Sequence, residues 1–373
     1  MTASSIVFLT GAAFLLYVLF GYPMLLAVRA HLFSKPVRRA EQSKTVSVLL
    51  AVKNGEKFLR AKLESIFALD YPRVLLQVLV ISDGSDDGTD AIALEFEEVE
   101  LIRVPAGGKA LALNAGVAKA TGEILFFTDV RQPLEADSLR HLVSCFADPQ
   151  VGAASGELII LDGQTHGEAS VGLYWRYEKW IRNRLSQIDS VMGATGCIYA
   201  MRRELAVALP AGTLVDDMYL PLAAFFRGYR VIFDSRAKAF DYPTPLDAEF
   251  RRKVRTLAGV YQIIGAYPKL LGPGNRMWVD FVSHKLGRLL LPYACLLMAG
   301  SSFWLPAPWR ALAFAGQGLF YALAFIDAWL PEGFVVKRLT SPMRTFVVLM
   351  AAAFCAGSIL FLPHDYFWKV HKR

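Results

Sequence analysis

Two kinds of apolar run divide this chain, and their lengths separate two environments. The long ones, Ile6–Val28, Leu289–Trp309, Ala311–Leu330 and Thr345–Pro363, hold no charge except Asp327 in the third. Roughly 20 apolar residues cross the hydrocarbon layer, so the pattern predicts four membrane spans. The short runs are rich in Val, Ile and Leu: Val46–Val52, Val74–Ser82, Leu101–Val104 and Ile124–Thr128. Between them, helical periodicity covers Lys57–Ala68, Thr89–Phe96 and Leu111–Ala120. Strands that are apolar throughout, rather than at alternate positions, are covered on both faces; a parallel sheet between layers of helices follows.

Composition agrees with a soluble domain fused to membrane helices. The 373 residues are 54% hydrophobic with a net charge of +7 and a mean hydropathy of +0.37. That is too apolar for an ordinary soluble domain and too polar for a pure transporter. A signal peptide would have a shorter apolar core, a basic start and a small-residue cleavage site. Instead Arg29, Lys35, Arg38, Arg39 and Lys44 follow the first run, which marks an anchor with its basic flank in the cytoplasm. Lys337, Arg338 and Arg344 agree with that orientation, whereas four spans would leave Lys369, Lys372 and Arg373 outside. Asp327 reads as a helix-end residue facing the interface or as an ion relay. The four cysteines, Cys145, Cys197, Cys295 and Cys355, have neither zinc spacing nor a disulfide framework. Basic residues flank membrane runs instead of interleaving with aromatics, so nucleic acid is not an expected partner.

Doubly wound sheets bind ligands at the carboxyl ends of their strands. Asp83 in SDGSDDGTD and Asp129 in FFTDVRQ each end an apolar strand. Ser85, Asp86, Asp87 and Gly88 read as turn and cap residues. Lys109 in AGGKALALN opens a helix, where a cation is unfavourable unless an anion shares the site. A Walker loop is excluded because Ala110 follows the lysine and the upstream glycine spacing is absent. A phosphate contact remains the expectation for Lys109.

The segments VSVLLAVKNGEKFL, ISDGSDDGTD, GGKALALNAG, EILFFTD, GATGCIYAMRRE, TLVDDMYLP and FRRKVRTLAG, in that order, resemble the membrane-bound family-2 glycosyltransferases, the group of hyaluronan, chitin, cellulose and poly-N-acetylglucosamine synthases. The resemblance implies a GT-A fold, a Rossmann-like, mostly parallel α/β domain, and inverting transfer from a UDP-sugar at the inner face of the plasma membrane. It implies that Ala51, Val52, Lys53, Asn54 and Glu56 cradle the uridine, that Asp83 reads the base, and that Lys109 touches the diphosphate. Asp129 matches the first aspartate of the family's Asp-x-Asp motif and would hold a divalent metal, Mg²⁺ or Mn²⁺. Asp217 matches the catalytic base, although Asp216 is an alternative base and both could simply cap the helix that follows. Of the family's Gln-x-x-Arg-Trp segment only Arg255 remains, with Thr256 at the position of the tryptophan that stacks on the acceptor.

Arg131 stands where the second carboxylate of Asp-x-Asp would be. Either its guanidinium forks onto diphosphate oxygens in place of a metal ligand, or it turns away to a carboxylate and leaves the metal to Asp129 and the nucleotide. Two further amphipathic patterns, Phe250–Ile264 and Met277–Leu289, each leave a basic face: Arg251, Arg252 and Arg255 on one, His284, Lys285 and Arg288 on the other. The second fits a helix lying in the membrane interface. The organisation expected is an anchor at 1–33, a catalytic domain at 45–260, interfacial helices at 261–288 and membrane helices at 289–373. The acceptor is expected to be a growing polysaccharide or a lipid-linked sugar in the bilayer. A catalytically inactive nucleotide-binding scaffold is the reading from another class.

Overall fold

The computed structural model describes residues 2–161, 166–242 and 246–369; Lys372 and Arg373 lie outside them. The helices, in chain order, begin with α1 (Ala3–Leu16), α2 (Tyr22–Leu32), α3 (Glu56–Phe67), α4 (Thr89–Leu94), α5 (Lys109–Lys119), α6 (Ser138–Ser144) and α7 (His166–Ile188). They continue with α8 (Asp216–Phe226), α9 (Leu246–Ala266), α10 (Trp278–Asp280), α11 (Gly287–Ser302), α12 (Trp309–Ile326), α13 (Lys337–Ala356) and α14 (His364–Lys369). The chain forms two units: Leu32–Leu161 with Arg182–Tyr242, and Met1–His31 with Asp162–Ile181 and Pro243–Arg373.

The first unit is built on a seven-stranded sheet of order β3-β2-β1-β4-β6-β5-β7. Its strands are β1 (Val46–Val52), β2 (Leu76–Asp83), β3 (Val99–Val104), β4 (Ile124–Thr128), β5 (Val151–Ile160), β6 (Ile198–Arg202) and β7 (Arg230–Asp241). The four strands expected from the sequence are present and parallel, with β1 and β4 at the expected bounds. β2 begins two residues later than expected because Arg73–Leu75 forms a 3₁₀ turn. The three later strands make the sheet mixed: β6 runs antiparallel to both β4 and β5, and β5 pairs in parallel with β7. This is the mostly parallel α/β sheet of the GT-A fold.

The apolar strands lie between helices as their composition demands. Val48, Leu50, Val80 and Phe126 pack with Leu59, Leu63 and Ile66 of α3, which recur at helical spacing and are all fully buried. Strand order reverses beside β1, between β2 on one side and β4 on the other, and this places a crevice at the carboxyl ends of these strands.

In the second unit, α1, the π-helical turn Tyr17–Gly21 and α2 form one helix over Ala3–Leu32. Among the described residues three helices are long and apolar enough to cross a membrane: Ala3–Leu32, Trp309–Trp329 and Lys337–Leu360. The expected span at Leu289–Trp309 is not a fourth. Its residues form the 16-residue α11, which continues a helical stretch containing Asp280, Lys285 and Arg288 and stops before Pro306 and Pro308. α11 instead packs on α1, where Gly11 allows close approach: a Cβ there would stand 2.6 Å from Met298 Cγ.

Three buried carboxylates inside this unit, Asp280, Asp327 and Glu178, have polar partners. Asp280, almost wholly buried, accepts from Arg29 at 2.7 Å and Tyr22 at 3.2 Å. Asp327 does sit at a helix end, but it is 2% exposed and faces inward, taking hydrogen bonds from Thr340 at 2.6 Å and Ser341 at 2.9 Å. The basic face expected before α11 is also partly turned in, because the buried Glu178 draws both His284 (3.4 Å) and Arg288 (2.5 Å).

Candidate active site

The crevice is assembled from loops that leave β1, β2 and β4. β1 ends with Ala51 and Val52, paired with Ile81 and Ser82. Asn54 follows in the left-handed region, φ 52°, which asparagine tolerates better than most residues. Its N–H donates to Ser85 Oγ at 3.1 Å and its Oδ1 accepts from Asp86 N at 3.0 Å. Glu56 takes Gly88 N at 3.0 Å, and Glu56 N donates to Asp87 Oδ2 at 3.0 Å. Asn54 and Glu56, expected at the uridine, therefore lace the β1 loop to the β2 loop, while Lys53 beside them is exposed.

Asp83, at the end of β2, is 4% exposed. Its Oδ1 accepts from Gly107 N at 2.7 Å and Gly108 N at 3.1 Å, and its Oδ2 also accepts from Gly108 N at 3.1 Å. The carboxylate thus fixes the turn that begins α5, whose first residue is Lys109.

Lys109 Nζ lies 2.9 Å from Asp129 Oδ1 and 3.3 Å from Asp216 Oδ1. Burial disfavours the ammonium, but Asp129, Asp216 and Asp217 outweigh it and hold the pKa well above the ordinary lysine value. The residues quoted separately from three segments of the sequence, Lys109, Asp129 and the Asp216–Asp217 pair, thereby form one cluster. Asp217 is pushed up to about 6, first by burial and then by the charge of Asp216, against the lowering effect of Lys109.

The fold makes room for this carboxylate. Asp216 and Asp217 open α8, and the preceding loop wraps their backbone, with Ala194 N donating to Asp217 O at 2.6 Å. A Cβ on Gly196 would stand only 3.0 Å from Asp217 Oδ2. Gly193 adopts φ +125°, and a Cβ there would meet Met218. Two further polar groups stand beside the cluster, and of these only Tyr199 gave no signal in the sequence. Asp216 Oδ2 is buried without a hydrogen-bond partner, and so is the hydroxyl of Tyr199, whose ring stacks on Phe127 at 4.5 Å.

Arg131 takes the second of its two expected courses. Its guanidinium lies 2.5 Å from Asp241 Oδ2 at the end of β7, and Gln132 Nε2 donates to the same oxygen at 2.9 Å. The carboxylate is buried rather than superficial, 6% exposed. Arg255 lies on α9 and belongs to the other unit.

No three His, Cys, Asp or Glu side chains among the described residues gather into a ready-made metal site. The donors present fit a looser arrangement. Asp129 is 39% exposed at its side chain, and Asp216 adds a buried oxygen with no hydrogen bond. Magnesium is commonly held by one or two carboxylates together with substrate phosphates, so Asp129 suits a cation that arrives with a nucleotide diphosphate.

Comparison with known proteins bears on the fold and on part of the sequence. Residues 47–209 match the family model described as Glycosyl transferase family 2. The chain is 23% identical over 350 residues to a beta-monoglucosyldiacylglycerol synthase of Synechocystis sp., covering 86% of this chain and 69% of that one. It is 30% identical over 125 residues to a poly-beta-1,6-N-acetyl-D-glucosamine synthase of Staphylococcus epidermidis, covering 31% of this chain and 29% of that one. The solved structure of a mannosyltransferase from Pyrobaculum calidifontis, in complex with GDP-Man and Mn²⁺, superposes with a TM-score of 0.75 at 23% identity, covering 95% of this chain and 99% of that one. The fold is that of the GT-A glycosyltransferases, and residues 47–209, a little under half of the chain, are similar to the Glycosyl transferase family 2 model.

Proposed function

We propose that the chain is an inverting glycosyltransferase that moves one sugar from a nucleotide diphosphate to a lipid acceptor at the cytoplasmic face of the membrane. The observation that carries this reading is the contact of a cation, Lys109, with Asp129 and Asp216 beside Asp217, whose proton affinity suits a base.

Glycosyl transfer needs a base for the acceptor hydroxyl and positive charge for the departing diphosphate. Asp217 takes the hydroxyl proton as the acceptor oxygen bonds to the anomeric carbon and the bond from that carbon to the diphosphate breaks. A positioned base contributes on the order of 10²–10⁴-fold. Lys109 exchanges its carboxylate partners for diphosphate oxygens, stabilising the charge that grows there. Asp129 would hold the divalent metal, which supplies further positive charge on the phosphates when bound. Arg131, anchored on Asp241, holds the strand-end turn that carries Asp129 rather than substituting for a metal ligand.

Extent of similarity favours a lipid acceptor over a growing polymer. The beta-monoglucosyldiacylglycerol synthase is similar over 86% of this chain, whereas the polymer synthase is similar over 31%. Thr256 also cannot stack on an acceptor sugar as an aromatic ring would. UDP-glucose and UDP-N-acetylglucosamine are the expected donors, with GDP-mannose a third to try.

The test is transfer by the purified protein in detergent, with each labelled donor, to diacylglycerol and to oligosaccharides. Asp217→Asn is expected to lower kcat on the order of 10²–10⁴-fold while nucleotide binding persists. Nucleotide binding without turnover by the wild type would mark a scaffold, and chain extension of oligosaccharides would return the assignment to a polysaccharide synthase.

A further inference from the structure

The loop that supports Asp217 is itself held by one residue outside the site. Arg182, in the last turns of α7, donates from Nη1 to Thr195 Oγ1 at 2.7 Å and from Nη2 to Ser155 Oγ at 3.0 Å and to the Gly193 carbonyl at 3.1 Å. Its guanidinium also lies 4.8 Å from the Phe233 ring centre, which fixes the plane of the fork.

Beneath that fork the two hydroxyls are saturated. Ser155 Oγ accepts from Thr195 N at 2.8 Å, and Thr195 Oγ1 donates to the Gly156 carbonyl at 2.7 Å. Ser155 is wholly buried and Thr195 8% exposed. The Gly193–Gly196 loop is thereby bound, through Gly193 and Thr195, to the end of α7 and to β5. Its other two residues meet Asp217: Ala194 N donates to Asp217 O at 2.6 Å, and Gly196 leaves 3.0 Å between a notional Cβ and Asp217 Oδ2. With so little clearance, a shift of the loop becomes a shift of the carboxylate.

We propose that Arg182 is a positioning residue for the reaction: its three-pronged contact holds the Gly193–Gly196 loop, and through it the Asp217 carboxylate, where the acceptor hydroxyl is deprotonated. This rests on Asp217 being the base. The contacts of Arg182 given above are with the loop beneath Asp217 and not with the nucleotide-binding loops at Asn54, Asp83 or Lys109, so its removal separates turnover from donor binding. A planar five-donor fork is required, and lysine supplies the charge without it.

The experiment compares wild type, Arg182→Gln, Arg182→Lys and Ser155→Ala for kcat, donor KM and nucleoside diphosphate affinity by calorimetry. Arg182→Gln is expected to lower kcat by roughly 10²-fold, the scale of a misplacement of about 1 Å, with donor KM and nucleotide affinity unchanged. Arg182→Lys should recover only part of that loss. Ser155→Ala removes the middle contact and keeps the guanidinium, so it supplies the measurement should Arg182→Gln fail to fold; a lowered kcat at constant donor KM is expected there too. Unaltered kcat in the folded variants, or equal losses in kcat and nucleotide affinity, would overturn the proposal while leaving the function intact. A wild type that transfers no sugar would overturn the function and this proposal together.

Discussion

Asp217 and Asp216 are adjacent in sequence but have different surroundings. Asp216 lies 3.3 Å from the Lys109 ammonium, whereas Asp217 is pushed up to about 6 by burial and by its neighbour's charge. As a base it works deprotonated, so kcat/KM should rise with pH along an acid limb centred near pH 6, read from a profile between pH 4.5 and 8. Asp216→Asn removes the repelling charge, and the limb should move to lower pH; a limb that stays in place would assign it to another group. The stability effect has the opposite sign. The native state binds this proton more tightly than the unfolded chain, whose aspartates titrate near 3.9, so Asp217 contributes a loss of stability as pH rises from about 4 to about 6 and no further change above. Denaturant midpoints of wild type and Asp217→Asn should therefore converge toward pH 4 and differ most above pH 6.

The strands β1 and β4 were legible from the sequence because continuous apolar runs with no polar face have few other uses. β5, β6 and β7 were not; the buried polar groups Ser155 and Glu157 interrupt β5, and Arg230 and Asp234 interrupt β7. The site divides in the same way. Asp83, Lys109, Asp129 and Asp217 stood at strand ends or helix starts, where the topology requires ligands to bind. Arg182 lies within a helix rich in charged residues and gave no signal, and the pairing of Arg131 with Asp241 joins residues 110 positions apart.

The turn between β3 and α5 illustrates what an element can require of one side chain. Asp83 takes three hydrogen bonds from Gly107 and Gly108, one of them on its second oxygen, where an amide nitrogen could not accept. Asp83→Asn should cost about 1.5–3 kcal/mol, the range for hydrogen bonds to a charged group, read from urea denaturation. It should also weaken nucleoside diphosphate binding through the displaced Lys109. Full affinity in that variant would show that the turn holds its shape without the carboxylate.

Two units share this chain, one organised by a sheet and the other by apolar helices. The number of membrane-length helices was overestimated from the sequence because apolar length alone does not report that α11 is short, follows charged turns and packs on α1 through Gly11. That correction changes a matter of parity. An odd number of crossings sends the two termini to opposite compartments, so the basic tail after α13 would emerge on the same side as Arg29 and Lys35. Lys337 and Arg344 would then sit on the far side, against the orientation rule for basic residues, each beside an acidic neighbour, Glu332 and Asp327 respectively. A reporter that fluoresces only in the cytoplasm should therefore light up when fused after Lys369, and stay dark when fused between Leu330 and Val336.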